Sequence, residues 1–262
     1  MRTILVINSK GGSGKTTLTT NLASYYASMK ARTTILDYDP QGSSLEWLRV
    51  RPNHMEKIHG ANGAPPKSTA LRSMQTWVPA DTETLVIDAP AGAKGLLLQE
   101  LVRKSNFIVI PVAPSPIDIH ATADFIKELF LFGGARNSKA KIAVVANRVR
   151  SSSTVYESLE RFLTSLKLPF LTRISDSDNY LHAAGNGLGV FEMDEATTSA
   201  ERRELTPIFM WLDGQLPNSQ EAGIGNKIIS IERSGKFAAL RSNGKSLLST
   251  ILSSTGRFKN LP

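Results

Sequence analysis

The chain has 262 residues, a hydrophobic fraction of 41% and a formal net charge of +8. Its length suits one doubly wound α/β domain with a full core, and the lack of cysteine excludes disulfides, cysteine-ligated zinc and thiol chemistry, in keeping with a reducing cytosol. The positive balance fits a polyanionic partner, nucleic acid or an anionic lipid surface, and no stretch of about 18 apolar residues exists to span a membrane.

The chain opens on an apolar, β-branched run, Thr3 to Ile7, which leaves no room for a signal peptide. A glycine-rich turn follows, and helical spacing begins at Leu18, Leu22, Tyr25, Tyr26 and Met29. Thr33 to Leu36 reads as a short strand ending in Asp37-Tyr38-Asp39-Pro40-Gln41-Gly42, and Ser43 to Val50 as a short helix. Residues 51–68 read as irregular, with one short strand near Ile58, before a helix from about Thr69 to Thr76.

Thr84 to Asp88 is a buried strand closed by an aspartate, followed by the tight turn Ala89-Pro90-Ala91-Gly92-Ala93. A helix over Gly95–Lys104, a strand over Phe107–Val112 and a long helix over Ile117–Phe132 come next, the last stopped by Gly133-Gly134. The strand Lys141–Ala146 leads into Asn147-Arg148, and helices over Thr154–Leu166, Ser177–Ala184 and Glu195–Leu212 surround a strand at Pro169–Ile174. Strand and helix alternate, and the strands lack in/out alternation. That pattern predicts a doubly wound, mostly parallel sheet with helices on both faces.

Beyond Asn218 the composition turns to Ser, Gly, Asn and basic residues. The chain therefore divides near Pro217 into an α/β domain (1–217) and a basic tail or small accessory element (218–262). From Glu221 to Pro262 there are seven basic residues against Glu221 and Glu232, a net +5 of the whole chain's +8.

The chemistry starts in the first turn, Lys10-Gly11-Gly12-Ser13-Gly14-Lys15-Thr16-Thr17. Strand, glycine-rich turn and helix in that order make a phosphate-binding loop. Gly11, Gly12 and Gly14 let consecutive backbone N–H groups curl around a phosphate with no Cβ in the way. Lys15 supplies a mobile positive charge for the β- and γ-phosphates, and the Thr16 hydroxyl is placed to ligate Mg²⁺. The usual phosphate-loop pattern has glycine where this chain has Ser9, and a second lysine, Lys10, stands inside the loop.

This two-lysine form, KGGxGKTT, resembles the deviant phosphate-loop motif of the ParA/MinD family of partitioning and positioning ATPases. The resemblance covers roughly Met1 to Gln215 and implies a phosphate-loop fold, ATP or ADP with Mg²⁺, and weak ATP hydrolysis. It implies that Gly11, Gly12, Ser13, Gly14, Lys15, Thr16 and Thr17 cradle the nucleotide phosphates. Lys10 crosses to a partner subunit in proteins of this kind and contacts its nucleotide, charge delivered in trans as by an arginine finger; the bland alternative is a solvated lysine beside a turn. Asp39, twenty-four residues beyond Lys15, stands where the family keeps its water-orienting aspartate. Asp-Pro-x-Gly is also turn chemistry, so Asp39 has a capping role open to it as well, while Asp37 reads as structural. Asp88 resembles the strand-end aspartate that meets Mg²⁺ through water, and Gly92 the hinge of the loop beyond it. Asn147 resembles the asparagine that contacts adenine, an amide offering donor and acceptor together. Pro111 to Pro116 resembles the family's dimer-face loop.

The resemblance further implies an ATP-dependent homodimer, nonspecific DNA as a surface, and a small ParB-like or adaptor protein that stimulates hydrolysis. The setting would be cytoplasmic and nucleoid-associated, the cargo a plasmid, a carboxysome or another protein complex. Arg148, Arg150, Arg202, Arg203 and the tail are the DNA candidates, needing only phosphate neutralisation. A MinD-like membrane role is the alternative, through Leu247, Leu248, Ile251 and Leu252; that stripe is short and poor in lysine and aromatics. A metabolic phosphate-loop enzyme is a third class, from which the lack of cysteine removes the iron–sulfur branch. No amino-terminal helix-turn-helix precedes the loop, so operator-specific repression is not expected. The four histidines have no ligand spacing.

Overall fold

The computed structural model describes residues 1–64, 77–150, 154–166 and 168–215. Its strands are β1 (Arg2–Val6), β2 (Thr33–Asp37), β3 (Ile58–Asn62), β4 (Thr84–Asp88), β5 (Phe107–Val112), β6 (Lys141–Val149) and β7 (Phe170–Ser175). The helices are α1 (Lys15–Ser28), α2 (Ser43–Arg49), α3 (Gly95–Lys104), α4 (Pro116–Leu131), α5 (Thr154–Ser165), α6 (Asp178–Gly185) and α7 (Glu195–Leu212). The helix expected over 69–76 and the tail beyond residue 217 lie outside the described residues.

All seven strands are parallel and run in the order β3-β2-β4-β1-β5-β6-β7. Every residue of β2 and β4 is buried, because helices cover both faces of the sheet. Successive side chains point to opposite faces and build two cores. Leu5, Leu85, Ile87, Ile108 and Ile110 join α3, α4 and α5 through Leu98, Phe125, Leu129 and Leu163. Ile4, Val6, Val86 and Val109 join α1 and α7 through Leu18, Leu22, Tyr26, Ile208 and Phe209. Leu18, Leu22 and Tyr26 recur every four residues, which keeps one face of α1 on the sheet.

β1 lies between β4 and β5, so the connections leaving the sheet there depart to opposite sides. This topological switch opens a crevice beyond the carboxyl ends of the central strands. The loop after β1 and the aspartates closing β2 and β4 all stand at that end.

The structure departs from the sequence reading mainly in β6. It extends through Asn147 to Val149, with register irregularities against β7 on both sides of Ala146. Arg148 there takes a left-handed φ of 56°, and such a bulge re-aims neighbouring side chains. Ser177 caps α6 from outside it, its hydroxyl accepting from the Asn179 N–H. Two short 3-10 turns, Ala135–Asn137 and Val190–Glu192, were not expected. The second is bolted to the segment after α2 by a buried ion pair. Arg51 donates through Nη1 to Glu192 Oε2 at 2.9 Å and through Nη2 to Oε1, and also to the Gly187 carbonyl at 3.0 Å.

Candidate functional site

The loop between β1 and α1 is pinned at both ends by asparagine amides. Asn8, fully buried, donates through Nδ2 to the Pro111 carbonyl (2.8 Å) and the Thr122 hydroxyl (3.1 Å), while its Oδ1 accepts from the Lys10 N–H (3.3 Å). Asn147 donates through Nδ2 to the Ser13 carbonyl at 2.8 Å. Between them Gly12 and Gly14 adopt φ of 76° and 86°, left-handed values that side-chain-bearing residues resist. Gly14 is the N-cap of α1, so the loop delivers its amides at a helix amino terminus, where anions are favoured.

Lys15 is the first residue of α1 and is buried, with Nζ donating to the Lys10 carbonyl at 2.9 Å. Burial lowers its pKa, opposed by the negative charges of Asp88 and then Asp39. Thr16 and Thr17 are half-buried and line the crevice. The Lys10 side chain is also half-buried and has no ion-pair partner among the described residues.

The three aspartates have separate environments. Asp37 is fully buried and caps α2: Oδ2 accepts from the Ser44 N–H (3.1 Å), the Ser44 hydroxyl (2.7 Å) and the Leu45 N–H (3.4 Å). Burial raises its pKa, and those bonds, with one from the Asp39 N–H, pull it back. The cap that Asp-Pro-x-Gly implied therefore comes from Asp37. Asp39 is half-buried, accepts the local Gln41 N–H at 2.9 Å and faces the cleft.

Asp88 pairs in register with Asp37 across β2 and β4 and with Val6 across β1. Its side chain is completely buried, and neither carboxylate oxygen has a hydrogen-bond partner among the described residues. Burial, then the neighbouring Asp37 charge, push its pKa up to about 7. The Thr16 and Ser44 hydroxyls and Lys15 lean on it and draw the value down without satisfying its oxygens. An orphaned buried carboxylate beside a lysine and a threonine hydroxyl suits a hydrated dication. Mg²⁺ keeps most of its waters and takes phosphate oxygens with one or two protein ligands. Among the described residues no group of three or more His, Cys, Asp or Glu forms a protein-only metal cage.

A cleft of about 610 Å³ joins these parts, within the range of small-molecule sites. One wall is the loop and Thr16; the other is Asn147, Asp176, Ser177, Tyr180 and Leu181 from the ends of β6 and β7 and from α6. Arg148 and Arg150 stand at its rim, paired through Nε to the two oxygens of Asp176 at 3.3 and 3.0 Å. These charge-assisted bonds, that from Arg150 first, hold Asp176 below the usual carboxylate range. Arg202 is spent inside the fold, donating to Thr198 Oγ1 and to the Phe191 and Met193 carbonyls. Arg203 is exposed.

The site thus assembles Lys15, Thr16, Asp39 and Asn147 around one cleft, with Asp88 buried beneath it against Lys15 and Thr16. Sequence reasoning missed Asn8, Ser44 and Asp176. Asp176 follows directly on a parallel strand, which was a usable signal; Asn8 and Ser44 act through contacts that no local pattern announces.

The model of the CobQ/CobB/MinD/ParA nucleotide binding domain matches residues 4–190. Maintenance of carboxysome distribution protein A of Halothiobacillus neapolitanus is 27% identical over 203 residues, covering 76% of this chain and 90% of that protein. The MinD cell division protein of Aquifex aeolicus superposes with a TM-score of 0.62 at 17% identity, over 83% of this chain and 99% of its own. An ATP complex of a Cyanothece McdA variant superposes with a TM-score of 0.58 at 13% identity, over 82% and 96%. Motif, strand order and family model agree: the chain belongs to the CobQ/CobB/MinD/ParA nucleotide-binding family, within its ParA/MinD type.

Proposed function

We propose that the protein is a ParA-type switch ATPase that dimerises on ATP, binds DNA nonspecifically as the dimer, and lets go on hydrolysis. The observation that carries this reading is the buried Asp88 carboxylate, without a hydrogen-bond partner among the described residues, beside Lys15 and Thr16 under a two-lysine glycine loop. Thr16, Asp39 and Asp88 are the residues that would hold Mg²⁺ and its water shell. The ion neutralises charge on the β- and γ-phosphates when bound. Lys15 and the loop amides orient the triphosphate, Asp39 orients the attacking water, and Asn147 meets the base. Lys10, whose ammonium lacks an ion-pair partner among the described residues, reaches the nucleotide of a second copy.

The Halothiobacillus relative, by its name, favours a carboxysome as cargo; an adaptor protein that stimulates hydrolysis and a cytoplasmic, nucleoid-associated setting complete the proposal. DNA contacts fall to Arg203, the basic tail and the exposed Arg148 and Arg150, whose shared pairing with Asp176 is solvent-exposed and leaves a net positive charge, while Arg202 is engaged within the fold. No helix among the described residues is long and apolar enough to cross a membrane. The test is co-sedimentation of the full chain and of the chain lacking residues 218–262 with plasmid DNA and with anionic liposomes, in ATP and in ADP. ATP-dependent, salt-sensitive DNA binding supports the reading. Binding to liposomes alone replaces it with the MinD-like alternative.

A further inference from the structure

Asn147 touches the phosphate loop itself. Its side chain is buried, and Nδ2 reaches across 134 residues of sequence to the Ser13 carbonyl at 2.8 Å. The fit is close: a Cβ on Gly14 would lie 1.9 Å from the same nitrogen. Two irregularities of β6 aim it there, the register shift beside Ala146 and the left-handed Arg148.

The consequence follows from peptide geometry. The Ser13–Gly14 unit is planar and trans, so its N–H points opposite to its C=O. Holding the Ser13 carbonyl therefore fixes the direction of the Gly14 N–H, a donor of the kind that cradles phosphate. At the loop's other end Asn8 Oδ1 holds the Lys10 N–H, and the Lys10 carbonyl anchors Lys15 Nζ. The loop is strung between two asparagines, one at each end.

We infer that Asn147 is a positioning residue for the phosphate loop, acting on every triphosphate alike, in addition to any contact with the base. The inference rests on the nucleotide-binding reading above. An asparagine serving only the base would discriminate among bases and leave a base-free ligand untouched. A brace weakens all of them together.

The test measures binding of Mg-ATP, Mg-GTP and Mg-tripolyphosphate to the full chain and to Asn147→Ala and Asn147→Asp. The aspartate sets a carboxylate against the Ser13 carbonyl while keeping an acceptor for the adenine amine. The brace predicts that both variants lose roughly tenfold in affinity for all three ligands, aspartate the more, with thermal midpoints close to the parent. Unchanged tripolyphosphate and GTP binding with a selective loss of ATP overturns the inference. If the unaltered protein binds none of the three, the nucleotide reading itself fails, a distinct result. If neither variant folds, the parent decides by NMR. A side-chain amide proton of Asn147 protected from exchange, and unmoved when GTP replaces ATP, supports the brace. Free exchange of that amide overturns it.

Discussion

Lys15 Nζ donates to the Lys10 carbonyl at 2.9 Å, so one lysine of the loop anchors the backbone from which the other projects. The nucleotide lysine and the lysine assigned to the partner's site form one mechanical unit. Losing Lys15 should thus damage both functions, and losing Lys10 only one.

Lys10→Ala removes the ammonium but keeps the carbonyl that holds Lys15. ATP affinity should stay close to the parent's, while turnover falls by about three orders of magnitude, as when an arginine finger is withdrawn. Parallel calorimetry and phosphate-release assays check this. Normal turnover would leave Lys10 as a solvated lysine.

Asp39 faces the cleft and, among the described residues, accepts one local backbone bond, from Gln41. Asp39→Ala should leave folding and ATP binding intact and stop hydrolysis, so that the ATP-bound form accumulates. Bound nucleotide recovered after gel filtration would be ATP, where the parent yields ADP. Recovery of ADP from the variant would remove Asp39 from water positioning.

Glu192 supplies one half of a buried, two-pronged pair with Arg51, the side chains being 4% and 6% exposed. Glu192→Ala strands a buried guanidinium and should lower the unfolding free energy by about 3–5 kcal/mol. Denaturant melts measure it. A loss below about 1 kcal/mol would mean that water replaces the carboxylate at little cost.

Asp88 gives the protein a pH signature in chelator and without nucleotide. Its carboxyl is raised from 3.8 to about 7 by burial and by Asp37. The folded state therefore holds this proton more tightly than the unfolded chain. Its contribution to stability is fullest below pH 4, declines as pH rises, and is fully lost above about 7. Thermal midpoints should fall between pH 5 and 8, less so in Asp88→Asn. Equal slopes for the two proteins would show that Asp88 ionises freely in the fold.

The loop, the strand-end aspartates and the parallel sheet were legible because each is local: a glycine run between strand and helix, or a carboxylate closing an apolar run. What escaped depends on tertiary placement. The cap of α2 seemed to belong to Asp39 by turn chemistry, yet Asp37, the last residue of β2, reaches Ser44 and Leu45. The Asn147–Ser13 bond spans 134 residues, and the pairing of Arg148 and Arg150 with Asp176 depends on how β6 bulges against β7. That Arg202 is bonded within the fold was not legible, because exposed and internally bonded arginines read alike in sequence.

The central claim, a switch completed by a second copy, is tested most directly by sedimentation velocity of the full chain in Mg-ATP and in Mg-ADP, with Lys10→Ala alongside. The account predicts a dimer in ATP, a monomer in ADP, and a Lys10→Ala protein that binds ATP yet stays monomeric. A parent monomeric in both nucleotides, or dimeric in both, would contradict it.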